Sequence, residues 1–430
     1  MRNPVYPSRP VAPEAARFGR CQRINDFIVL SEGTSNVYLI ETPEGNILVN
    51  SGMGFEAPVH KANLEQFATG PITHLITTQG HVDHLGGVQY FRDLHPGLSY
   101  IAQADNAEHQ CYDNRLQPFR AARSAFRFQD DFTEVFTAYA KAGYTDINPQ
   151  DHPTPDQVFD DKLVFNVGEL DIELIAVAGA ETNDSLVIWL PQHRIALTGN
   201  LFGCPFGHFP NLSTIRGDRY RDPLVCLEAA NTVLKLAPAM ILYGHHGPVV
   251  GEQLIAEELV AYRDAIAQVH DAVVDGMNAG KSIEQLQQAI SLSPECEVGE
   301  GYGKVSWGVR AIWEYYAGWF KHQSTTELYS VPRSSIDSDL LDLIGAEALV
   351  GRARQRFDGT EHEAALHLLD IVLGAEPKNT AAIELSIEIH QALLIQAQAF
   401  KHTGNFWLEG WLANQIKLLQ GGKTAPLTQT

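Results

Sequence analysis

Along the first 250 residues, short apolar runs alternate with turn residues; beyond that point, long amphipathic segments take over. Runs at 27–30, 36–40 and 47–49, divided by turn residues such as Glu44-Gly45-Asn46, predict strands. A helix is expected near 57–68, strands over 72–78 and at 99–102, and a helix over 120–142. Strands return at 162–167, 170–177, 186–190 and 194–198, followed by a helix near 222–236 and a buried strand at 240–243. Two strand groups with helices between them predict an α/β fold, an αββα sandwich in which two sheets pack together with helices outside. After residue 252 the pattern is almost wholly helical, with Ser282, Ser306 and Asp337 as expected N-caps. A helix pair is expected at 361–373 and 380–394, broken at Pro377-Lys378-Asn379. The chain therefore divides into a Pro- and Arg-rich extended arm (1–24), the sandwich (25–251), a helical domain (252–420) and a short tail (421–430).

Composition narrows the class. The 430 residues are 44% hydrophobic and 19% charged, as in a folded globular protein. A net charge of -21 speaks against a nucleic-acid-binding surface and leaves a small-molecule partner open. No stretch approaches the length of a membrane span, and no apolar signal core precedes Phe27, so cytoplasmic residence is expected. Five scattered cysteines, Cys21, Cys111, Cys204, Cys226 and Cys296, suit free thiols better than a disulfide framework.

The chemistry concentrates in Gln79-Gly80-His81-Val82-Asp83-His84, which follows the strand at 72–78 and precedes Gly86-Gly87, read as a tight exit from a loop. Two histidines and an aspartate within four residues can converge on one metal. Glu181, Asn200 and the pair His245-His246 each follow a strand in a Gly-containing loop, where sites gather in layered folds. Imidazoles and carboxylates with a position left open for water are the ligands of catalytic zinc.

The segment resembles the metallo-β-lactamase superfamily signature His-x-His-x-Asp-His, with Gln79 in place of its first histidine. Within that superfamily the chain resembles the alkyl sulfatases. Ala180-Glu181, Thr214-Ile215-Arg216-Gly217 and the stretch Val309 to Phe320 carry the likeness, the last being similar to the start of that family's helical dimerisation domain. The resemblance spans roughly residues 25–420. It implies a metallo-β-lactamase-type sandwich followed by an all-α dimerisation domain, and a homodimer. It also implies two metal positions, one from Gln79, His81 and Glu181, the other from Asp83, His84 and His245, with Asn200 where the family has a bridging carboxylate.

Gln for His exchanges an imidazole for a weak neutral carbonyl, and Asn for a carboxylate removes a charge between two dications. One tightly held metal is therefore expected at Asp83, His84 and His245: zinc first, with iron or manganese as alternatives. A second metal on His81 and Glu181 is the competing expectation. Asn211 and Arg216 match the residues that hold sulfate in the family, with Thr214 beside them; the competing reading of Arg216 is a salt bridge with Asp218 or Asp222. His208 is read either as a proton donor to a leaving group or as a surface histidine. His109, Arg120, Arg123 and Arg127 are candidates for a substrate entrance. Trp307, Trp313 and Trp319, six apart, form no single helical stripe and face either a core or a partner or substrate.

These residues lead to a metal-dependent hydrolase acting on a small, anionic substrate through an ester, amide, C–N or sulfate ester bond. Asp83 would orient the attacking water, and Glu181 would act as base where it is not a ligand. Two alternatives stand beside it: a non-haem iron or manganese redox enzyme on the same fold, and a non-catalytic binding protein.

Overall fold

The structure, a computed structural model, describes residues 14–68, 70–398 and 404–422. Most of the expected arm (1–13) and of the tail (423–430) lies outside the described residues. Two sheets face one another. The first runs in the order β1 (Cys21–Arg23), β2 (Ile28–Ser31), β3 (Val37–Ile40), β4 (Asn46–Val49), β5 (Ile72–Ile76), β6 (Ser99–Gln103) and β7 (Gln157–Phe159). The second comprises β8 (Lys162–Val167), β9 (Leu170–Ala176), β10 (Leu186–Leu190), β11 (Ile195–Gly199), β12 (Met240–Tyr243) and β13 (Val249–Val250), ordered from β13 at one edge to β8 at the other.

The strands read as unbroken apolar runs because both of their faces are covered. Ile28 and Leu30, Tyr38 and Ile40, and Ile47 and Val49 point into the core between the sheets, where they meet Leu186, Ile188, Leu190, Leu197 and Leu242. Their neighbours Val29, Val37, Leu39 and Leu48 point outward onto the helices Ala57–Leu64 and Val88–Leu94. On the other side, Val187, Ala196, Ile241 and Tyr243 pack under Pro223–Leu236 and Glu252–Asn278. Truncating one of these fully buried aliphatics to Ala would cost about 2–5 kcal/mol. Cys21–Arg23, expected in the extended arm, instead pairs antiparallel with β2 and forms the edge of the first sheet.

Strands β4 to β7 run parallel, as do β11 and β12. The carboxyl ends of β5, β11 and β12 lead into the loops bearing the candidate ligands, so sheet pairing brings together residues far apart in sequence.

The helical region begins with the long helix Glu252–Asn278. Ser282 caps Ile283–Ala289 in a reciprocal capping box with Gln285. Ser306 does not cap: Val305–Ala317 starts one residue earlier, and Glu300 Oε1 accepts the Val305 N–H at 2.7 Å instead. Asp337 is likewise the first helical residue of Asp337–Ile344, after Ile336. The expected helix pair appears as His362–Ala375 and Thr380–Ala397, sharing a satellite core of Leu349, Leu369, Leu385 and Ile389. The helix Phe406–Gln420 returns to the long helix Gln117–Lys141: Asn414 Nδ2 donates to Phe126 O, and Phe406 and Trp407 pack on Phe128. Among the described residues no helix is long and apolar enough to cross a membrane.

Candidate metal centre

The chain leaves β5 at Ile76 and turns into a single helical turn, Val82–Leu85, that presents Asp83 and His84; His245 follows β12. One donor atom from each of Asp83, His84 and His245 lies within 4.8 Å of the other two. Ser35 Oγ is 3.0 Å from His84 Nδ1 and orients the ring, whose Nε2 faces Asp83, 3.6 Å away. His245 Nδ1 is buried with no partner. Burial lowers the pKa of His84 and drives that of His245 down to about 4, so both rings are neutral at physiological pH, the form that ligates. Burial alone would raise Asp83, but His84, His245, His81 and Arg216 outweigh it and hold the carboxyl below its usual range. An unpartnered buried nitrogen, two neutral imidazoles and an ionised carboxylate together fit a divalent cation.

Both sheets hold this arrangement. In the turn between β2 and β3, beside Ser35, the Asn36 N–H donates to Gly244 O (2.7 Å) and its Nδ2 to His246 O (2.6 Å), while Tyr38 OH reaches Tyr243 O (2.7 Å). Glu56, fully buried, anchors the same turn by accepting from Thr34 N and Oγ1 (both 2.9 Å), Ala16 N (2.7 Å) and Met53 N (3.0 Å). Gly86 and Gly87, expected as a tight turn, have negative φ; their need is space. A Cβ on Gly87 would lie 2.6 Å from Ala57 Cβ and Ser51 O, and Gln150, packed on Gly86, donates to Val82 O at 2.9 Å.

At the neighbouring position the side chains hydrogen-bond one another. The Gln79 carbonyl accepts the Asn200 N–H (3.2 Å), and its amide group donates to His81 Nδ1 (2.7 Å). His81 Nε2 faces Asp218 Oδ2 at 3.3 Å. Burial pushes His81 down to about 3, so the ring is neutral, with Nδ1 accepting and Nε2–H donating. Both ring nitrogens are engaged in hydrogen bonds. Glu181 Oε1 lies 3.9 Å from His81 Nδ1 but accepts from Arg221 Nη2 at 2.6 Å. Gln79, His81 and Glu181, which the resemblance implies as one ligand set, are each hydrogen-bonded to other groups here. Asn200 borders the three-donor position: its Nδ2 is 3.1 Å from His84 Nε2, its Oδ1 is buried without a partner, and any Cβ on Gly244 would collide with that oxygen.

Beyond His81 lie the expected anion-binding residues. Thr214 Oγ1 and Arg216 Nε are buried without partners, and Asn211 is buried with its carbonyl accepting from Arg221 Nη1 (2.7 Å). Arg216 Nη2 stands 3.9 Å from Asp218, the salt bridge weighed in the sequence. Arg120, expected at an entrance, divides its guanidinium between Asp113 and Asp218. His109 packs against His81 with ring centroids 5.4 Å apart, and Arg123 reaches Ile215 O; the Arg127 side chain lies outside the described residues.

His208 does not lie at the surface, one of its two expected places. It is buried at the seam with the helical region, packed on Gly299, and its Nδ1 accepts from Gly301 N at 3.0 Å. Sequence reasoning missed Ser35, Glu56, Gln150, Asp218 and Arg221 as parts of the site. Asp184, which accepts from Gly80 N (3.0 Å) and Asn106 Nδ2 (2.7 Å), was missed as well. The polar triplet Thr34-Ser35-Asn36 between two apolar strands was the one available signal.

Comparison with known proteins agrees with the fold. The family profile for the metallo-β-lactamase superfamily matches residues 30–245, and that for alkyl sulfatase dimerisation matches residues 282–413. A linear primary-alkylsulfatase from Pseudomonas sp. is 28% identical over 323 residues, 71% of this chain and 60% of that protein. The alkyl/aryl-sulfatase BDS1 of Saccharomyces cerevisiae is 24% identical over 449 residues, 97% of this chain and 68% of that protein. The chain thus spans only some three fifths to two thirds of the length of these relatives. In fold it is similar to the stereoselective inverting sec-alkylsulfatase Pisa1 from Pseudomonas sp., with a TM-score of 0.81 at 18% identity over 96% of this chain and 67% of that one. With half its length matched by one profile and its helical region by the other, the chain belongs to the metallo-β-lactamase superfamily and carries an alkyl sulfatase dimerisation region.

Proposed function

We propose that the protein is a metal-dependent hydrolase of the alkyl sulfatase kind, holding one zinc ion at Asp83, His84 and His245 and acting on a small substrate that bears an anionic group. The observation that carries this reading is the convergence of those three donors beside unpartnered donors of Thr214 and Arg216. A zinc ion bound there would lower the pKa of a bound water and polarise the scissile group. Arg216, Thr214 and Asn211 hold the anionic group, and the planar guanidinium suits an oxyanion. Asp83 keeps an oxygen for orienting the water. Glu181, pushed up to about 7 by burial against the pull of Arg221, is poised to take its proton near neutral pH. A homodimer through the helical region is part of the proposal, supported by Trp319 and Leu343, 72% and 83% exposed within the matched dimerisation region.

A second reading is favoured by the donor set itself: two histidines and one carboxylate also suit non-haem iron, and hence redox chemistry. Elemental analysis of protein purified without added metal, with an assay on alkyl sulfates, carboxylic esters and amides, separates the two. We expect about one zinc per chain, and its loss together with hydrolysis in Asp83→Ala. Iron with an optical or magnetic signal would instead favour the redox enzyme. Absence of any bound metal in a folded protein would overturn both and leave a binding protein.

A further inference from the structure

We propose that Asp218 sets the charge of the anion this site accepts, favouring a singly charged oxyanion group over a doubly charged one. The inference rests on the reading of Arg216 and Thr214 as an anion seat and adds a selectivity residue to it. Asp218 is held in place from several sides. Its Oδ1 accepts the Arg219 N–H at 2.9 Å, and its Oδ2 lies 3.3 Å from His81 Nε2, 3.3 Å from Arg120 Nη2 and 3.9 Å from Arg216 Nη2. Its side chain is only 6% exposed. Burial opposes its ionisation, but the hydrogen bond from His81 and the charges of Arg216 and Arg221 outweigh it and keep the carboxylate ionised.

The neighbouring cations are unequally committed. Arg221 is spent on Glu181 and on the carbonyls of Glu181 and Asn211. Arg120 is shared between Asp113 and Asp218. Arg216 alone of these three combines an unpartnered buried Nε with a long, 3.9 Å contact to Asp218. An anion entering the seat meets one incompletely compensated guanidinium and, beside it, a fixed carboxylate. A carboxylate offers acceptors only, so it cannot hydrogen-bond a fully ionised oxyanion and repels each further negative charge. A sulfate ester carries one charge. A phosphate monoester carries nearly two at neutral pH, and the second would fall against Asp218.

The test uses the protein with its native metal and two non-hydrolysable anions of similar shape, methanesulfonate and methylphosphonate, titrated calorimetrically in mild alkali where the phosphonate is doubly charged. Comparing the ratio of their affinities between proteins cancels their different intrinsic attraction to the metal. In Asp218→Asn, which keeps an acceptor for His81, the ratio should move toward the phosphonate by about tenfold or more. Asp218→Ala should move it the same way, and unchanged metal content and circular dichroism check that both variants fold. A ratio unchanged in both variants, or both anions tightening by one common factor, would overturn the role of Asp218 while leaving the seat standing. Full retention of both anions in Arg216→Gln, or no binding of either anion to any of the proteins, would overturn the seat and this proposal with it.

Discussion

Two histidines three residues apart, His81 and His84, are both buried and both neutral, yet only His84 converges with a carboxylate and a second imidazole. His84 has the Ser35 hydroxyl on Nδ1, while its Nε2 lies 3.6 Å from Asp83 and 3.1 Å from the Asn200 amide nitrogen. His81 has an amide donor on one nitrogen and a carboxylate acceptor on the other, so its ring is a link in a hydrogen-bond chain from the Asn200 N–H through Gln79 to Asp218. What separates the two rings is which other donors the fold brings beside them. Gln79 ties His81 into its chain because one amide both donates and accepts, whereas an imidazole at that place would have offered a metal its own nitrogen.

The sharpest way to break the contrast is to undo it. The double variant Gln79→His with Asn200→Asp frees His81 Nδ1 and restores an imidazole and a bridging carboxylate, so metal content should rise from about one ion per chain to about two, read by elemental analysis after dialysis. A metal content still near one would mean that Arg221 on Glu181, and not Gln79, closes the position. Next in size is an asymmetry between the partners of the two rings. Ser35→Ala should weaken metal affinity by about 10–100-fold, as loss of an outer-shell partner does, while Gln79→Ala should leave it nearly unchanged in competition titrations with a chelator. Equal losses in the two variants would erase the distinction drawn between His84 and His81.

The smallest effect is a pH dependence. The unfolded chain protonates a histidine near pH 6.5, whereas folded His81 takes a proton only near 3. Between those values the unfolded state binds more protons, so stability is fully present above pH 6.5 and is lost as pH falls through the window. His81→Gln removes that contribution, and the stability lost between pH 7 and pH 5 should shrink by about 2 kcal/mol relative to wild type, from urea unfolding of the metal-free proteins. His84 and His245 titrate in the same window, which is why only the difference between the two proteins is informative.

Much of the architecture was legible because double-sided burial writes itself as continuous apolar runs: the runs at 27–30, 36–40, 186–190 and 240–243 lie within a residue of the strands Ile28–Ser31, Val37–Ile40, Leu186–Leu190 and Met240–Tyr243. Short edge strands such as Gln157–Phe159 and Val249–Val250 were not legible, since few of their side chains are buried. At the site, Asp83, His84 and His245 could be singled out because ligands are chemically distinctive types at strand ends. Their supports could not. Ser35, Glu56 and Gln150 are ordinary polar residues whose roles come from tertiary hydrogen bonds across 49, 22 and 68 residues. The partners of Gln79 and His81 are hidden for the same reason: sequence shows which atoms a residue carries, and only the fold shows what they meet.

The clasp formed by Asn36 and Tyr38 over Gly244 and Tyr243 has a mechanical consequence. Asp83 and His84 hang from the first sheet and His245 from the second, so an ion at their meeting point would fasten the two halves across the same seam that the clasp closes. Binding would then double as bracing. At a free-ion concentration about a thousand times the dissociation constant, such linkage adds about 4 kcal/mol to the folded state, so the chain's resistance to heat becomes a gauge of how much metal its surroundings supply.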